Sequence, residues 1–198
     1  MNPAEVTELF ERYGVLHNGH FKLSSGRHSD TYLQCARILE HPRITNSLGD
    51  ALAARYPDGA DVVVSPALGG ILVGNAVANA IGCRFLFTER VDGTMTLRRG
   101  QAITAGERAI VVEDVITTGG SASEVVALVE AAGATVVGVA SLVDRSETRP
   151  PFHLEALLRV QATSWDPADC PLCARGEALH TPGSRAMSSG GTETASSR

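Results

Sequence analysis

Residues 109–121 read AIVVEDVITTGGS. Ala109, Ile110, Val111 and Val112 form the short apolar run of a strand buried on both faces. Two acids follow, Glu113 and Asp114, then Val115 and Ile116. The loop Thr117, Thr118, Gly119, Gly120, Ser121 comes next. Helical patterning begins at once over residues 121–132 and stops at Gly133. Strand, small-residue loop and helix in that order make half of a βαβ unit, and this decides the fold class.

The same alternation repeats on either side. Residues 61–65, 84–88, 109–113 and 135–143 read as strands, and 69–81 and 121–132 as helices. The pattern predicts an α/β protein with a mostly parallel central sheet flanked by helices. Right-handed crossovers would gather the ligand loops at the carboxyl edge of that sheet. Near the start, Asn2 and Pro3 read as the N-cap and first residue of a helix. Val6, Leu9, Phe10 and Tyr13 are its apolar face, and Gly14 stops it. Extended pieces at 21–23 and 31–33 flank the segment SSGRHSD, and a helix with Ile44, Leu48 and Leu52 on one face follows Pro42. Residues 89–106 read as a polar connection with a short ribbon at 95–98, and 154–160 as an edge strand. The expected organisation is one domain over residues 1–183, with a small N-terminal hood from 1–40 and part of 150–183. A disordered tail is expected at 184–198.

The chain has 198 residues, 43% hydrophobic and 20% charged, with a net charge of −5. These values suit a globular enzyme with a real core. No long basic run supports binding to nucleic acid, and no apolar run approaches membrane-span length. The first residues, MNPAEVTELFERYG, have no basic-plus-apolar leader, so a cytoplasmic protein is expected. The 17 basic residues are 16 arginines and one lysine, Lys22. Work that lysine usually does must fall to other groups.

Gly119 and Gly120 permit backbone conformations closed to other residues, so successive N–H groups can converge on one anion. The following helix adds unpaired N-terminal donors and its positive dipole end. Thr117, Thr118 and Ser121 add hydroxyls. Two carboxylates beside such a cup would repel a bare anion. They make sense if the ligand also carries hydroxyls or a cation, as a ribose 5-phosphate does. The competing reading of a generic EDxxxxGG is a strand end with solvated acids and an ordinary glycine turn. Neither a GxxxxGK[ST] motif nor a GxGxxG after a strand is present.

The whole segment AIVVEDVITTGGS resembles the phosphoribosyl-diphosphate signature of type I phosphoribosyltransferases. Four further stretches resemble the orotate phosphoribosyltransferase family within it: GHFKLSSGRHSDTY near the base site, SPALGGILVG at the diphosphate loop, SLVDRSE at the orotate strand, and CPLCARGEALHTPGSR at the end of one bacterial branch. The resemblance runs from about residue 5 to 185 in family order. It implies transfer of phosphoribosyl from 5-phosphoribosyl 1-diphosphate to orotate, giving orotidine 5′-phosphate in pyrimidine biosynthesis. It also implies Mg²⁺ held mainly by the substrate, with no direct protein ligand, and a homodimer. By the same resemblance Glu113 and Asp114 hold the ribose diol, and residues 115–121 (Val115, Ile116, Thr117, Thr118, Gly119, Gly120, Ser121) wrap the 5-phosphate. Thr117 and Arg145 touch orotate, and Arg90 joins the two acids as a catalytic group. A planar guanidinium fork suits a carboxylate. Without the resemblance, Arg145 reads as a surface partner of Asp144 or Glu147.

The chain departs from the family in its lysines. Residues 89–100, ERVDGTMTLRRG, hold neither the lysines nor the histidine common in the family's mobile loop. Gly69 stands where the diphosphate loop often has lysine, and Ser24 where the LxSGR segment does. Arginine stays protonated and donates protons poorly, so leaving-group stabilisation here is expected to be electrostatic. A purine phosphoribosyltransferase and a phosphoribosyl-diphosphate-sensing regulator are the competing functions. The first should lack SSGRHSD and the orotate arginine, and the second needs a nucleic-acid surface.

Cys170 and Cys173 form a lone CxxC. Zinc usually draws on four ligands, and no second CxxC is present. The pair therefore reads as free thiols in a turn. His180 is the nearest candidate for a third metal ligand, and Cys35 or Cys83 more remote ones. His17, His20, His28 and His41 read as surface or hydrogen-bonded residues, with His28 alone placed near a substrate. Trp165 reads as packing.

Overall fold

The computed structural model describes residues 1–23, 25–161 and 163–182; Ser24 and the expected tail at 184–198 lie outside them. Along the chain run α1 (Pro3–Arg12), β1 (Leu16–Lys22), β2 (His28–Leu33), α2 (Ala36–Leu39), α3 (Pro42–Ala53), β3 (Val62–Pro66), α4 (Gly70–Ile81), β4 (Arg84–Val91) and β5 (Thr94–Leu97). There follow β6 (Arg108–Ile116), α5 (Gly120–Ala131), β7 (Thr135–Asp144), β8 (Leu154–Arg159), β9 (Ser164–Trp165), a 3₁₀ turn at Pro167–Asp169 and α6 (Pro171–Ala174). Two compact units form. The larger joins Met1–His17 to Leu33–Gln161, and the smaller joins Asn18–Tyr32 to the described residues after Gln161.

The larger unit is built on a six-stranded sheet of order β5-β4-β3-β6-β7-β8. All its neighbours are parallel except β4 and β5. Side chains alternate along each strand, and here both faces are covered. Val63, Ile110, Val112, Ala140 and Leu142 pack with Leu48 and Leu52 of α3 and Val73 and Val77 of α4. Val62, Val64, Ala109, Val111 and Val139 pack on the opposite face with Ala122, Val125 and Val129 of α5. Each fully buried valine or leucine of this kind contributes about 1.5–3 kcal/mol relative to exposure. That double burial is why these strands are apolar runs rather than alternating ones. Helices α3 and α4 approach so closely that a Cβ on Gly49 would lie 2.6 Å from that of Ala76.

The helix ends follow local chemistry. Asn2 Oδ1 accepts from the Glu5 N–H at 3.1 Å, while Glu5 Oε2 accepts from the Asn2 N–H at 2.7 Å, a reciprocal capping box. Gly14, after the end of α1, is left-handed at φ 59°.

Several expected boundaries move. The strand expected to end at residue 88 continues to Val91, and the ribbon is an ordered hairpin in which Val91 faces Thr94. Asp92 and Gly93 both have positive φ, 47° and 85°. This is the Asp-Gly two-residue turn whose twist matches a hairpin. The strand expected over 109–113 runs from Arg108 to Ile116, because β7 pairs with it as far as Ile116 opposite Asp144. The two acids therefore lie inside a strand rather than at its end. The helix α5 starts at Gly120, and the short α2 falls in a stretch where no helix was expected. The expected edge strand is β8, parallel to β7.

Candidate active site

The sheet order places a switch point between β3 and β6. The chain leaves β3 through α4 to β4 on one side, and leaves β6 through α5 to β7 on the other. Loops diverging in opposite directions open a crevice at the carboxyl ends of such strands. Pairing between β3 and β6 ends at Val64 opposite Val111. Beyond it β3 stays with β4 as far as Pro66 opposite Thr88, while β6 stays with β7. Glu113 and Asp114 follow directly where the two strands part.

The loop after β3 lies against these acids. The peptide bond between Ala67 and Leu68 is cis, and Leu68 is 84% exposed. A Cβ on Gly69 would stand 2.6 Å from Asp114 Oδ1, and one on Gly70 would stand 2.8 Å from the Val112 carbonyl oxygen. The glycines at 69 and 70 thus let backbone sit directly on the acidic pair. Asp114 Oδ1 also accepts the Val115 N–H at 2.9 Å.

Both carboxyls are partly removed from water, and the charged form suffers for it. Burial, followed by the nearby Asp114 charge, pushes the Glu113 carboxyl up to about 8. Burial likewise raises Asp114, against the opposing hydrogen bonds from backbone N–H groups. The Cys35 thiol is raised by its own burial and then by the Asp114 charge. Paired carboxyls held toward the neutral form are characteristic of functional sites.

The loop after β6 turns on Gly119, left-handed at φ 75° and buried. A Cβ there would also meet Phe152 Cζ at 3.1 Å and Pro150 Cβ at 3.5 Å. Glycine is required on both counts. Thr117, Thr118 and Gly120 are exposed and Ser121 is half-buried. The Gly120 N–H donates to Thr118 Oγ1 at 3.4 Å, and the Ser123 N–H donates to the Gly119 carbonyl at 2.8 Å as α5 begins.

Arg145 follows β7 at the same edge, and its N–H donates to the Ile116 carbonyl at 2.8 Å. The preceding Asp144 accepts both the N–H and the hydroxyl of Ser146, at 2.8 and 2.6 Å, and stands 3.7 Å from Arg159 Nε. Arg90 lies on β4, and its guanidinium clasps Glu124 of α5 with two bonds of 3.0 and 2.8 Å. Glu89 holds Arg99 at 2.9 Å and Arg98 at 3.8 Å. The arginines of residues 89–100 are thus matched to carboxylates in this structure. A separate cavity of about 230 Å³, lined by Arg55, Tyr56, Asp58, Arg108 and His153 among others, sits at the amino ends of β3 and β6, away from the acids.

A model of the phosphoribosyl transferase domain matches residues 34–156. The orotate phosphoribosyltransferase of Pelotomaculum thermopropionicum is 50% identical over 188 residues, covering 93% of this chain and 99% of that one. The chain belongs to the orotate phosphoribosyltransferase family. Its counterpart in Desulforamulus reducens is 48% identical, over 93% of this chain and 98% of that relative. The crystal structure of the orotate phosphoribosyltransferase of Mycobacterium tuberculosis H37Rv, in complex with Fe(III) dicitrate, aligns with a TM-score of 0.66 at 31% identity. It covers 80% of this chain and 96% of that one. The matched domain includes β3, β6 and both loops of the crevice, so the residues placed there by geometry fall within the family's shared domain.

In the smaller unit the cysteines have company that spacing did not suggest. His20 and His28, not His180, Cys35 or Cys83, gather with Cys170 and Cys173. The ring of His28, expected near a substrate, is buried in this cluster. His180 instead pairs through its backbone with His20 and Lys22.

The acidic pair makes a direct prediction. Glu113 should be neutral below about pH 8 and ionised above it. Carbon-detected NMR of the labelled carboxyl should show a midpoint near 8. In Asp114→Asn the midpoint should fall but stay above the ordinary glutamate range, because burial is the larger cause. A wild-type midpoint near 4.5 would contradict the enclosure described here.

Proposed function

We propose that this enzyme transfers the phosphoribosyl group of 5-phosphoribosyl 1-diphosphate to orotate, giving orotidine 5′-phosphate and diphosphate, at the crevice between β3 and β6. The observation that carries the reading is the juxtaposition of Glu113 and Asp114 with a Thr/Gly loop opening α5. One end of such a site suits a diol, and the other a phosphate monoester.

Glu113 and Asp114 accept hydrogen bonds from the ribose hydroxyls. The backbone N–H groups and hydroxyls of Thr117, Thr118, Gly119, Gly120 and Ser121 surround the 5-phosphate, with Val115 and Ile116 leading into the cup. This needs no lysine, because oriented amides and the positive end of α5 supply the field. Arg145 offers its fork to the orotate carboxylate, and Thr117 adds a hydroxyl. As the C1–O bond breaks, positive charge grows on the ribose and negative charge on the diphosphate. The growing positive charge, together with bound Mg²⁺, draws the acidic pair toward its ionised form, which favours the first. Arg90 favours the second, exchanging Glu124 for the leaving group. Orotate attacks C1 through a ring nitrogen.

Mg²⁺ is a hard cation that keeps water and substrate phosphates as ligands, so the substrate would hold it, with the acidic pair Glu113 and Asp114 a suitable neighbour for its charge. When bound it neutralises charge on the diphosphate. The reading extends to a homodimer working in the cytoplasm, carried by the family resemblance. Among the described residues no helix is long and apolar enough to cross a membrane.

The purified chain with Mg²⁺, phosphoribosyl diphosphate and one base at a time tests the reading. Orotate absorbance should be lost, while hypoxanthine, adenine, xanthine and uracil remain unchanged. Turnover of a purine instead, or none with any base, overturns it. The close approach at Gly69 makes a second prediction. A Cβ there collides with the end of a side chain rather than with backbone. Gly69→Ala should therefore keep its thermal midpoint while displacing Asp114, and affinity for phosphoribosyl diphosphate should fall at least about tenfold, the loss of one charge-assisted hydrogen bond. Unchanged affinity would remove Asp114 from the ribose site.

A further inference from the structure

The smaller unit has an unusual interior. Neither apolar core cluster contains any of its described residues. Its buried side chains are instead His20, His28, Ser29, Cys170 and Leu172, three of them candidate metal donors. A region this small with so little apolar burial needs another source of stability.

Four side chains converge from three places in the sequence. His20 lies on β1, His28 on β2, and Cys170 and Cys173 flank the start of α6. One donor atom from each lies within 4.8 Å of all the others. His20 Nε2 is 3.0 Å from His28 Nδ1, 3.5 Å from Cys170 Sγ and 3.6 Å from Cys173 Sγ, and Cys173 Sγ is 3.3 Å from His28 Nδ1. A tetrahedral zinc ion with ordinary Zn–N and Zn–S bonds separates its ligands by about 3.3–3.8 Å. Most of these separations therefore fall within or close to the size of a Cys₂His₂ shell, with the histidine pair slightly tight.

The other nitrogen of His20 supports the same reading. His20 Nδ1 lies 2.9 Å from the Glu177 carbonyl oxygen, which can only accept. Nδ1 then carries the proton, and the Nε2 lone pair faces the two sulfurs and His28. A backbone carbonyl fixing the tautomer of a ligating histidine is the usual outer-shell arrangement at zinc. Hydrogen bonding alone explains the cluster less well, because thiols are weak donors and weak acceptors.

We propose that His20, His28, Cys170 and Cys173 form a structural zinc site that ties β1, β2 and the C-terminal turn together. Two nitrogens and two sulfurs in a tetrahedron select zinc over the hard cation of the reaction. The thiols bind as thiolates, so each gives up its proton to solvent as zinc enters. Four protein ligands leave no open position, so the ion staples the unit and activates no water.

The test uses the full chain grown in zinc-containing medium and read by elemental analysis. About one zinc per chain is expected for a closed four-ligand site. Cys170→Ser, Cys173→Ser and His28→Ala should each abolish stoichiometric zinc, while His180→Ala and Cys83→Ser keep it. Replacing zinc by Co²⁺ in the wild-type protein should give the intense visible bands of a tetrahedral site and thiolate-to-cobalt charge transfer. This readout does not depend on any variant folding. Removing the metal with a chelator should lower the thermal midpoint. Wild-type protein with neither stoichiometric zinc nor a cobalt–thiolate band would overturn the proposal, as would zinc retained after both cysteines are changed to serine.

Discussion

The crevice depends on one close approach, the carboxylate of Asp114 against the Cα of Gly69. Strands β3 and β6 run side by side only as far as Val64 and Val111, and then their loops turn opposite ways. Such a parting leaves a gap that water would fill. Here glycine backbone closes one wall and an acidic pair forms the other. The resulting enclosure raises the proton affinity of Glu113 and Asp114. In the proposed reaction, a ligand bearing hydroxyls and developing positive charge would meet this pair better than water does.

Much of this was readable from residues 109–121, because a buried strand, an acidic pair and a glycine loop leave strong local signals. The parallel sheet followed from apolar runs separated by helical periodicity. Boundaries were harder where tertiary pairing overrode local polarity. Glu113 and Asp114 look like the end of a strand, yet β7 holds that strand to Ile116. The Asp92-Gly93 turn was a hairpin signal in plain view, obscured by the polar residues around it. The contact between Gly69 and Asp114 joins residues far apart in the chain and has no local signature. The same holds for the cysteine cluster. Its histidines precede the CxxC by most of the chain, and only the pairing of β1, β2 and the C-terminal segment brings them together.

Charge is handled with almost no lysine. In the larger unit Arg90 clasps Glu124, and Arg98 and Arg99 attend Glu89. Guanidinium groups held by carboxylates in defined geometry are placed rather than freely mobile, and they remain charged at every working pH. The smaller unit meets a different need, because its described residues bury little apolar surface. A metal tetrahedron can replace a hydrophobic core there, as disulfides do in other small units. None of the four cysteines is in a disulfide.

The central claim is that the β3/β6 crevice binds the phosphoribosyl group with its two ends assigned. A crystal structure of the chain with Mg²⁺ and phosphoribosyl diphosphate tests this most directly. The account predicts the 5-phosphate within hydrogen-bonding distance of the backbone N–H groups at Thr118, Gly119, Gly120 and Ser121, and the ribose hydroxyls on Glu113 and Asp114. A phosphoribosyl group bound elsewhere, with the acidic pair and the glycine loop left to solvent, would contradict it.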